Sequence, residues 1–442
     1  MPAYHAAFAL GVMDGKPKIH EKDLPPPPRS WKELQRHRYG KEFKQAAEKE
    51  YQAVQNRGTF KTVRKTSDIT VIPLMWVFTY KLDTDGYLVK FKARICVRGD
   101  LQPRNDRDTY AATLAARIFR ALMAIVAAYD LEAFQLDAVN AFTNSELDET
   151  VYCAYPDGFQ QDGECLLLLR ALYGLRRSPL LWLREFSTTL HNLDLNEISG
   201  QPCLFTTNDG ILVFFYVDDI ALLCRSEDLS KLYKLRTALM QKYEMRDLGE
   251  LSWFLGIRII RDRSQRKLWL CQDAYIKKIA NAFHLTDRKP PVTPLAVEEL
   301  VPNDKQATPQ DIYLYQRKVG SLLYATTITR PDAARAANKL SEFLINPSAR
   351  HQEAVDRAIL YLYGTSNLAI EYSASIDQSA ITCASDAAFA DDSATRYSTE
   401  GYLFKLFNGP IDWRSTKQKT VTTSSTEAEL LALSHASKEV IW

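Results

Sequence analysis

Ile211-Leu-Val-Phe-Phe-Tyr-Val-Asp-Asp-Ile-Ala-Leu-Leu-Cys224 is an apolar run broken by two adjacent carboxylates, Asp218 and Asp219. Apolar residues on both sides predict two buried strands that meet at a tight turn. An ionised carboxylate among apolar groups is strongly unfavourable unless a cation or hydrogen bonds compensate it. Two in succession therefore point to a bound metal ion. The alternative is a plain polar turn, which Asp serves well.

Working outward, Gln135-Leu-Asp-Ala-Val-Asn-Ala-Phe142 sets Asp137 at the end of a short β-like segment, with Phe142 five residues later. With this second stretch the sequence resembles the reverse transcriptases of copia-type LTR retrotransposons. Those enzymes carry a Tyr-Val-Asp-Asp turn and an upstream Gln-x-Asp-Val-x-x-Ala-Phe strand end. The likeness continues in chain order. Trp76-Val-Phe78 and Lys92-Ala-Arg-Ile-Cys-Val-Arg-Gly99 are similar to the fingers motifs. Leu147-Asp-Glu-Thr-Val-Tyr152 and Pro156-Asp-Gly-Phe159 follow the first catalytic strand as in the family. Leu172-Tyr-Gly-Leu-Arg-Arg-Ser-Pro179 with Trp182 resembles the template-gripping turn, and Leu248-Gly-Glu-Leu-Ser-Trp-Phe-Leu-Gly256 the primer-gripping segment.

The resemblance implies an α+β right-hand polymerase. An extended, proline-rich tether (1–30) leads into fingers (31–130) and a ferredoxin-like palm (131–247). The primer grip, helical thumb and connection (248–377) follow, and then an incomplete ribonuclease H-like α/β segment (378–442). It implies RNA-directed DNA synthesis on an RNA template and a DNA primer, using deoxynucleoside triphosphates, with no membrane partner. The setting would be intracellular: a cytoplasmic, element-derived particle, with the nucleus as a further compartment.

Carried over by resemblance, Asp137, Asp218 and Asp219 are the catalytic and metal-binding residues for two Mg²⁺ ions, with Mn²⁺ as a substitute. Asp137 and Asp218 would bridge the metals. Side chains of successive residues diverge at a strand end, so Asp219 would engage less directly. Lys92, Arg94, Phe142 and Tyr216 would bind the nucleotide, with Phe142 as the steric gate beneath its sugar. For Phe142 the alternative is a plain core aromatic. Gly174, Arg176, Pro179, Trp253 and Gly256 would meet template and primer. The chain departs from the family at two positions: Arg177 stands where glutamine is common, and Ala138 where valine is.

Composition constrains less. A chain of 442 residues is too long for one core and predicts two to four subdomains. Hydrophobic residues at 46% and charged residues at 25% are ordinary for a soluble globular protein. A net charge of +2 demands that any nucleic-acid binding come from a local basic channel. The seven cysteines are scattered and show no CxxC spacing, which argues against a zinc site or a disulfide framework.

In chain order, Leu24-Pro-Pro-Pro-Pro28 reads as a solvated spacer. Ser30 to Arg57 turns helical, with Phe43, Ala47, Tyr51 and Val54 on one face. Residues 70–100 predict a hairpin that turns at Asp83-Thr-Asp-Gly86. Its returning strand aligns Lys90, Lys92, Arg94 and Arg98 on one side. Such a row suits a triphosphate, and it is also what an exposed basic strand looks like. Helices are expected at 115–130, 179–192, 273–283, 313–325, 331–344 and 349–363, the last with Ser348 as N-cap and Gly364 as its stop.

From Ile381 the texture returns to strands, and Ser424-Ser-Thr-Glu-Ala-Glu-Leu430 opens a helix. Ser424 and Glu427 fit a capping box. By resemblance, Asp386 and Glu429 would be the first ribonuclease H metal ligands. The chain ends at Trp442, before the strand that brings the next aspartate in the family. The expectation is a marginally folded, hydrolytically silent segment with an unpaired edge and exposed apolar surface. It is also that of a polyprotein fragment without its integrase and protease. Two other functional readings stand beside the polymerase: a decayed, nucleic-acid-binding remnant, and a nuclease only.

Overall fold

The two strands predicted around the acidic turn are Leu212–Tyr216 and Asp219–Cys224, paired antiparallel with Tyr216 opposite Asp219. Val213, Phe214 and Phe215 are buried, as are all residues from Ile220 to Cys224. Burial on both faces explains why this stretch is continuously apolar and does not alternate. The computed structural model describes residues 19–83, 86–103, 107–374, 381–393 and 395–441. It resolves into two units, Met1–Ala112 with Val139–Asn192, and Thr113–Ala138 with Leu193–Trp442.

In the second unit the acidic hairpin is central to a six-stranded antiparallel sheet. Its order is Met245–Glu250, Glu132–Ala138, Asp219–Cys224, Leu212–Tyr216, Gln201–Thr206, Asn196–Ile198. Helix Ala116–Tyr129 belongs here and not with the fingers, where the boundary at 130 had placed it. The reason is packing. Its Phe119 stacks on Phe254 at 5.0 Å and meets Phe214 edge-on at 6.1 Å, so one aromatic cluster joins helix, sheet and strand Trp253–Phe254. Helices Asp273–Ala282, Pro309–Ile328, Ala334–Ser341 and Ala349–Gly364 share a core that includes Tyr315, Leu322, Leu340 and Ile359. The helix expected from Tyr313 starts four residues earlier because Thr308 caps it, its hydroxyl accepting from the Asp311 amide at 3.1 Å. Ser348 caps the last helix in a capping box closed by His351.

In the first unit, helix Gly40–Asn56 packs on the basic hairpin, Leu74–Leu82 with Leu88–Val97. Phe43 meets Phe78 at 5.4 Å and Phe91 at 5.0 Å, so the predicted apolar helix face is the one that is covered. The first helix is shorter than Ser30–Arg57 implied, since residues 35–39 break it. Residues 139–192, placed in the palm by sequence, lie in this unit. Their strands Glu146–Cys153 and Glu164–Arg170 pair with Val71–Ile72 and Phe60–Arg64 in a four-stranded sheet.

Two expectations are corrected. The tether is not a solvated spacer from Ile19 on. The Leu88 amide donates to the Ile19 carbonyl at 2.8 Å, Leu24 packs on the core, and Pro28 is buried. Residues 1–18 lie outside the described residues, as do Thr84 and Asp85 of the predicted hairpin turn. The cationic row also loses a member. The strand stops at Val97, and Arg98 forms an ion pair with Asp100 at 2.7 Å. Among the described residues no helix is long and apolar enough to cross a membrane.

The C-terminal strands Ile381–Ala388, Thr399–Leu406 and Gly409–Lys417 form a sheet with helix Ser425–Ile441 against it. The expected exposed apolar surface is there, on Ile381, Leu430, Leu433 and Val440. The sheet is nonetheless anchored. Arg120, 3% exposed, donates to the carbonyls of Ile411 (2.6 Å), Thr327 (2.8 Å) and Ile328 (3.1 Å). Its guanidinium lies 4.1 Å from the Trp413 ring, and the Trp413 indole N–H donates to the Thr326 carbonyl at 2.8 Å. A buried cation persists only when its donors are satisfied, and here main-chain oxygens do most of that. Arg120→Met should therefore cost about 3–5 kcal/mol, because three carbonyls and Asp412 lose their partner. Urea unfolding would measure the loss. Limited proteolysis should then open residues 381–441 first, with Arg120→Lys intermediate.

Candidate active site

The turn between the two central strands holds only Val217 and Asp218. Val217 sits at φ 57, a left-handed conformation that a β-branched residue adopts at a cost, and such strain collects at functional turns. On the far side of the hairpin, Asp219 pairs directly with Asp137 of Glu132–Ala138. The Ala138 amide donates to the Asp218 carbonyl at 2.9 Å. The three carboxylates that sequence placed 81 residues apart are thus joined by one strand pairing.

Burial pushes the Asp219 carboxyl up to about 6, and the neighbouring charges of Asp218 and Asp137 push the same way. Gln135 opposes this by donating its side-chain amide to Asp219 Oδ1 at 3.3 Å. The Arg246 guanidinium stands 3.4 Å from Asp137 Oδ2, a cation already drawn to the cluster. Among the described residues no three carboxylate, histidine or cysteine side chains form a complete metal cage. The donors present are hard carboxylate oxygens, with Arg246 beside Asp137 and the Gln135 amide on Asp219. That set fits Mg²⁺, which takes one or two protein carboxylates and completes its shell from phosphates and water.

In the first unit, Lys92 and Arg94 project from the same face of Leu88–Val97. Both act on Glu50, whose carboxyl is raised by burial and lowered by these two cations. The Arg94 guanidinium lies 5.5 Å from the Tyr173 ring centre. Phe142 meets the other side of this neighbourhood, its ring edge-on to Tyr173 at 4.8 Å. It stands on the short 3₁₀ turn Ala141–Asn144, and its 8% exposure matches the core aromatic offered as the alternative.

The family described as reverse transcriptase (RNA-dependent DNA polymerase) matches residues 57–297, a span that holds all three aspartates. The Pol polyprotein of the tobacco transposon TNT 1-94 is 34% identical over 430 residues, 94% of this chain and 32% of its own length. The chain belongs to the reverse transcriptases of copia-type retrotransposons. The Pol polyprotein of transposon RE1 from Arabidopsis thaliana is 32% identical over 85% of this chain. The chain spans 32% and 26% of the lengths of these two relatives. A putative transposon Ty5-1 protein of Saccharomyces cerevisiae is 32% identical and is covered entirely. A foamy viral protease-reverse transcriptase, solved with double-stranded DNA, is similar in fold. Its TM-score is 0.50 at 15% identity, over 90% of this chain and 60% of that one.

The remaining motif residues of this family member have the following surroundings. A side chain on Gly174 would meet the Val97 carbonyl at 2.1 Å, and one on Gly99 the Gly174 carbonyl at 2.0 Å. The turn at Gly174 and the end of the basic strand therefore touch backbone to backbone, and only glycine fits. Arg176 is half-buried beside it, and Pro179 lies in the first turn of helix Ser178–Asn192. Arg177, the departure from the family pattern, faces inward. It forms a bidentate pair with Asp148 and donates to the Asp108 carbonyl, holding the Asp148 carboxyl below its usual range. Its role is to fasten the turn to strand Glu146–Cys153.

Trp253 and Gly256 flank a tight turn in which Leu255 (φ 52) and Gly256 (φ 77) are both left-handed. The Tyr324 hydroxyl donates to the Leu255 carbonyl at 2.8 Å. Tyr216 lines an apolar cavity of about 260 Å³ with Phe119, Leu255, Ile257 and Tyr324. Asp386 lies in strand Ile381–Ala388 and Glu429 in the first turns of helix Ser425–Ile441, both exposed. Glu427 is the cap, its carboxylate accepting from the Thr423 amide at 2.6 Å.

Sequence reasoning passed over Gln135 and Tyr173, although both stand inside the quoted motifs. It gave no signal for Arg57 or Glu50. The crowding at Asp219 has a measurable consequence. A raised carboxyl favours the folded state below the unfolded-state value near 3.9 and loses that contribution as pH rises through about 6. Asp219→Asn should raise the melting temperature of the metal-free chain at pH 7.5 by roughly 1–3 °C, a modest gain because the carboxyl keeps some contact with water. The gain should shrink at pH 4.5, where the folded parent carboxyl is protonated, and vanish below about 3.9; melting curves across this range check it.

Proposed function

We propose that this chain carries out RNA-directed DNA synthesis, with Asp137, Asp218 and Asp219 as the catalytic carboxylates. The observation that carries the reading is the pairing of Asp219 with Asp137 across the strained Val217-Asp218 turn. This sets like charges side by side where only cations or protons relieve them. When bound, divalent metal ions of the Mg²⁺ type would activate the attacking oxygen and neutralise the leaving pyrophosphate. Asp137 and Asp218 would hold them, and Asp219, kept in place by Gln135, would complete the field.

Nucleotidyl transfer is an in-line displacement, so the protein contributes mainly positioning and charge. Lys92 and Arg94 would take the triphosphate, Arg94 steadied over Tyr173. Phe142 would stand under the sugar and exclude a 2′-hydroxyl. The primer-grip turn at Trp253–Gly256 and the template-grip turn at Gly174–Pro179 would hold the nucleic acid.

Primer extension on an RNA template with Mg²⁺ tests the reading. Asp218→Asn should lower extension by about 100-fold or more while leaving the melting temperature at or above that of the parent. Extension by Asp218→Asn equal to the parent's would remove the site assignment. A parent chain that binds the hybrid but extends nothing would instead mark it as a decayed, nucleic-acid-binding copy.

A further inference from the structure

The turn that carries Phe142 is gripped by two arginines through its main chain. Arg57, at the C-terminal end of helix Gly40–Asn56, donates from Nη1 to the Val139 carbonyl at 2.7 Å and to Thr143 Oγ1 at 3.0 Å. Arg170, at the end of strand Glu164–Arg170, reaches the carbonyls of Thr143 (3.4 Å) and Asn144 (3.3 Å). The roots of the two arginines are tied together, since the Leu169 and Arg170 amides both donate to the Thr59 carbonyl, at 2.8 and 3.1 Å. The Ala171 amide closes the turn from below by donating to the Ser145 carbonyl at 3.0 Å.

Within the turn, Thr143, 2% exposed, passes its hydroxyl proton to the Asn140 carbonyl at 2.8 Å. Asn140 is left-handed at φ 52. A left-handed residue and a single 3₁₀ turn would not hold one conformation by themselves. The Arg57 bonds span the turn, from its entry at Val139 to Thr143, next to Phe142. Its hydrogen bonds to Val139 and Thr143 are therefore placed to set the height of the Phe142 ring, which leans on Tyr173 at 4.8 Å.

We infer that Arg57 is a positioning residue for sugar selection: it holds the turn that presents Phe142, and through it sets how strictly the polymerase rejects ribonucleotides. The inference rests on the reading of Phe142 as the gate. Rejecting one hydroxyl depends on where a wall stands to a fraction of an ångström, and small displacements in a site carry large rate penalties. Loosening the turn should thus relax discrimination before it harms synthesis. A role confined to stability would lower the melting temperature and leave discrimination untouched.

The test uses the 442-residue chain, an RNA template and a DNA primer, and compares kcat/KM for a deoxynucleotide with that for the matching ribonucleotide. Phe142→Val, Arg57→Met, Arg57→Lys and Thr143→Val are run beside the parent. Phe142→Val should admit ribonucleotides while keeping most deoxynucleotide use. Arg57→Met should lower the discrimination ratio roughly tenfold, with kcat for the deoxynucleotide within about threefold of the parent. Arg57→Lys, which keeps one cationic donor, should recover part of the ratio. Thr143→Val removes the acceptor of Arg57 and the donor to the Asn140 carbonyl at nearly constant shape, and should move the ratio the same way. It decides the matter if Arg57→Met fails to fold. A parental ratio in folded Arg57→Met or in Thr143→Val, while Phe142→Val shifts it, overturns the role of Arg57 alone. A parental ratio in Phe142→Val overturns the gate itself, and this inference with it.

Discussion

Negative charges held side by side, in a sheet that water barely reaches, are the constraint around which this chain is built. Asp219 faces Asp137 across a strand pair in which Ile220 to Cys224, Leu136 and Ala133 are buried and apolar. The arrangement is unfavourable by itself, so rigid neighbours must hold it: Ile220 to Cys224 lock one strand, and Leu136 and Ala138 the other. The aromatic cluster of Phe119, Phe214 and Phe254 then braces that sheet from behind. Crowding of this kind is relieved by protons or by cations, and Arg246 is one such cation already beside Asp137.

Much of this was legible before any coordinates. The apolar run around Asp218 and Asp219 can only be buried strands, and the hairpin forms where the carboxylates said it would turn. The helices capped by Ser348 and Ser424 begin where a hydroxyl precedes an apolar stripe. Failures came where local pattern is silent about distant packing. Leu24 to Pro28 looked like a spacer because prolines have no periodicity, yet Leu24 packs on the core and Pro28 is buried. Helix Ala116–Tyr129 looked like a fingers helix because it precedes the palm in sequence, and its partners lie more than a hundred residues later. Arg98 fitted the period of a strand that had already ended.

The arginines carry a related lesson. Arg57, Arg120, Arg170 and Arg177 all spend donors on main-chain carbonyls, and Arg177 adds a bidentate carboxylate. The planar, permanently charged guanidinium with its several donors suits this task better than lysine does. Only Arg177 stands inside a quoted motif; Arg57, Arg120 and Arg170 are marked by neither motif nor spacing, since the carbonyls they bind belong to residues of any type. A net charge of +2 therefore says little about affinity for nucleic acid in this protein. Part of the cationic complement works as internal bracing, and the cations left at the surface must be counted by position.

The clamp at Arg120 also bears on how such a protein can be dissected. One guanidinium serves the last turn of helix Pro309–Ile328 and the strand Gly409–Lys417 together, and Trp413 and Tyr372 add bonds across the same junction. A gene fragment cut at the apparent border near residue 377 would keep the Thr327 and Ile328 carbonyls but bring the arginine without Ile411, Asp412 and Trp413. It would leave a buried charge only partly satisfied. The border written in the sequence texture is thus not a seam in the folded molecule: modules read as separate share one hydrogen-bonded joint, and a working fragment must include both of its sides.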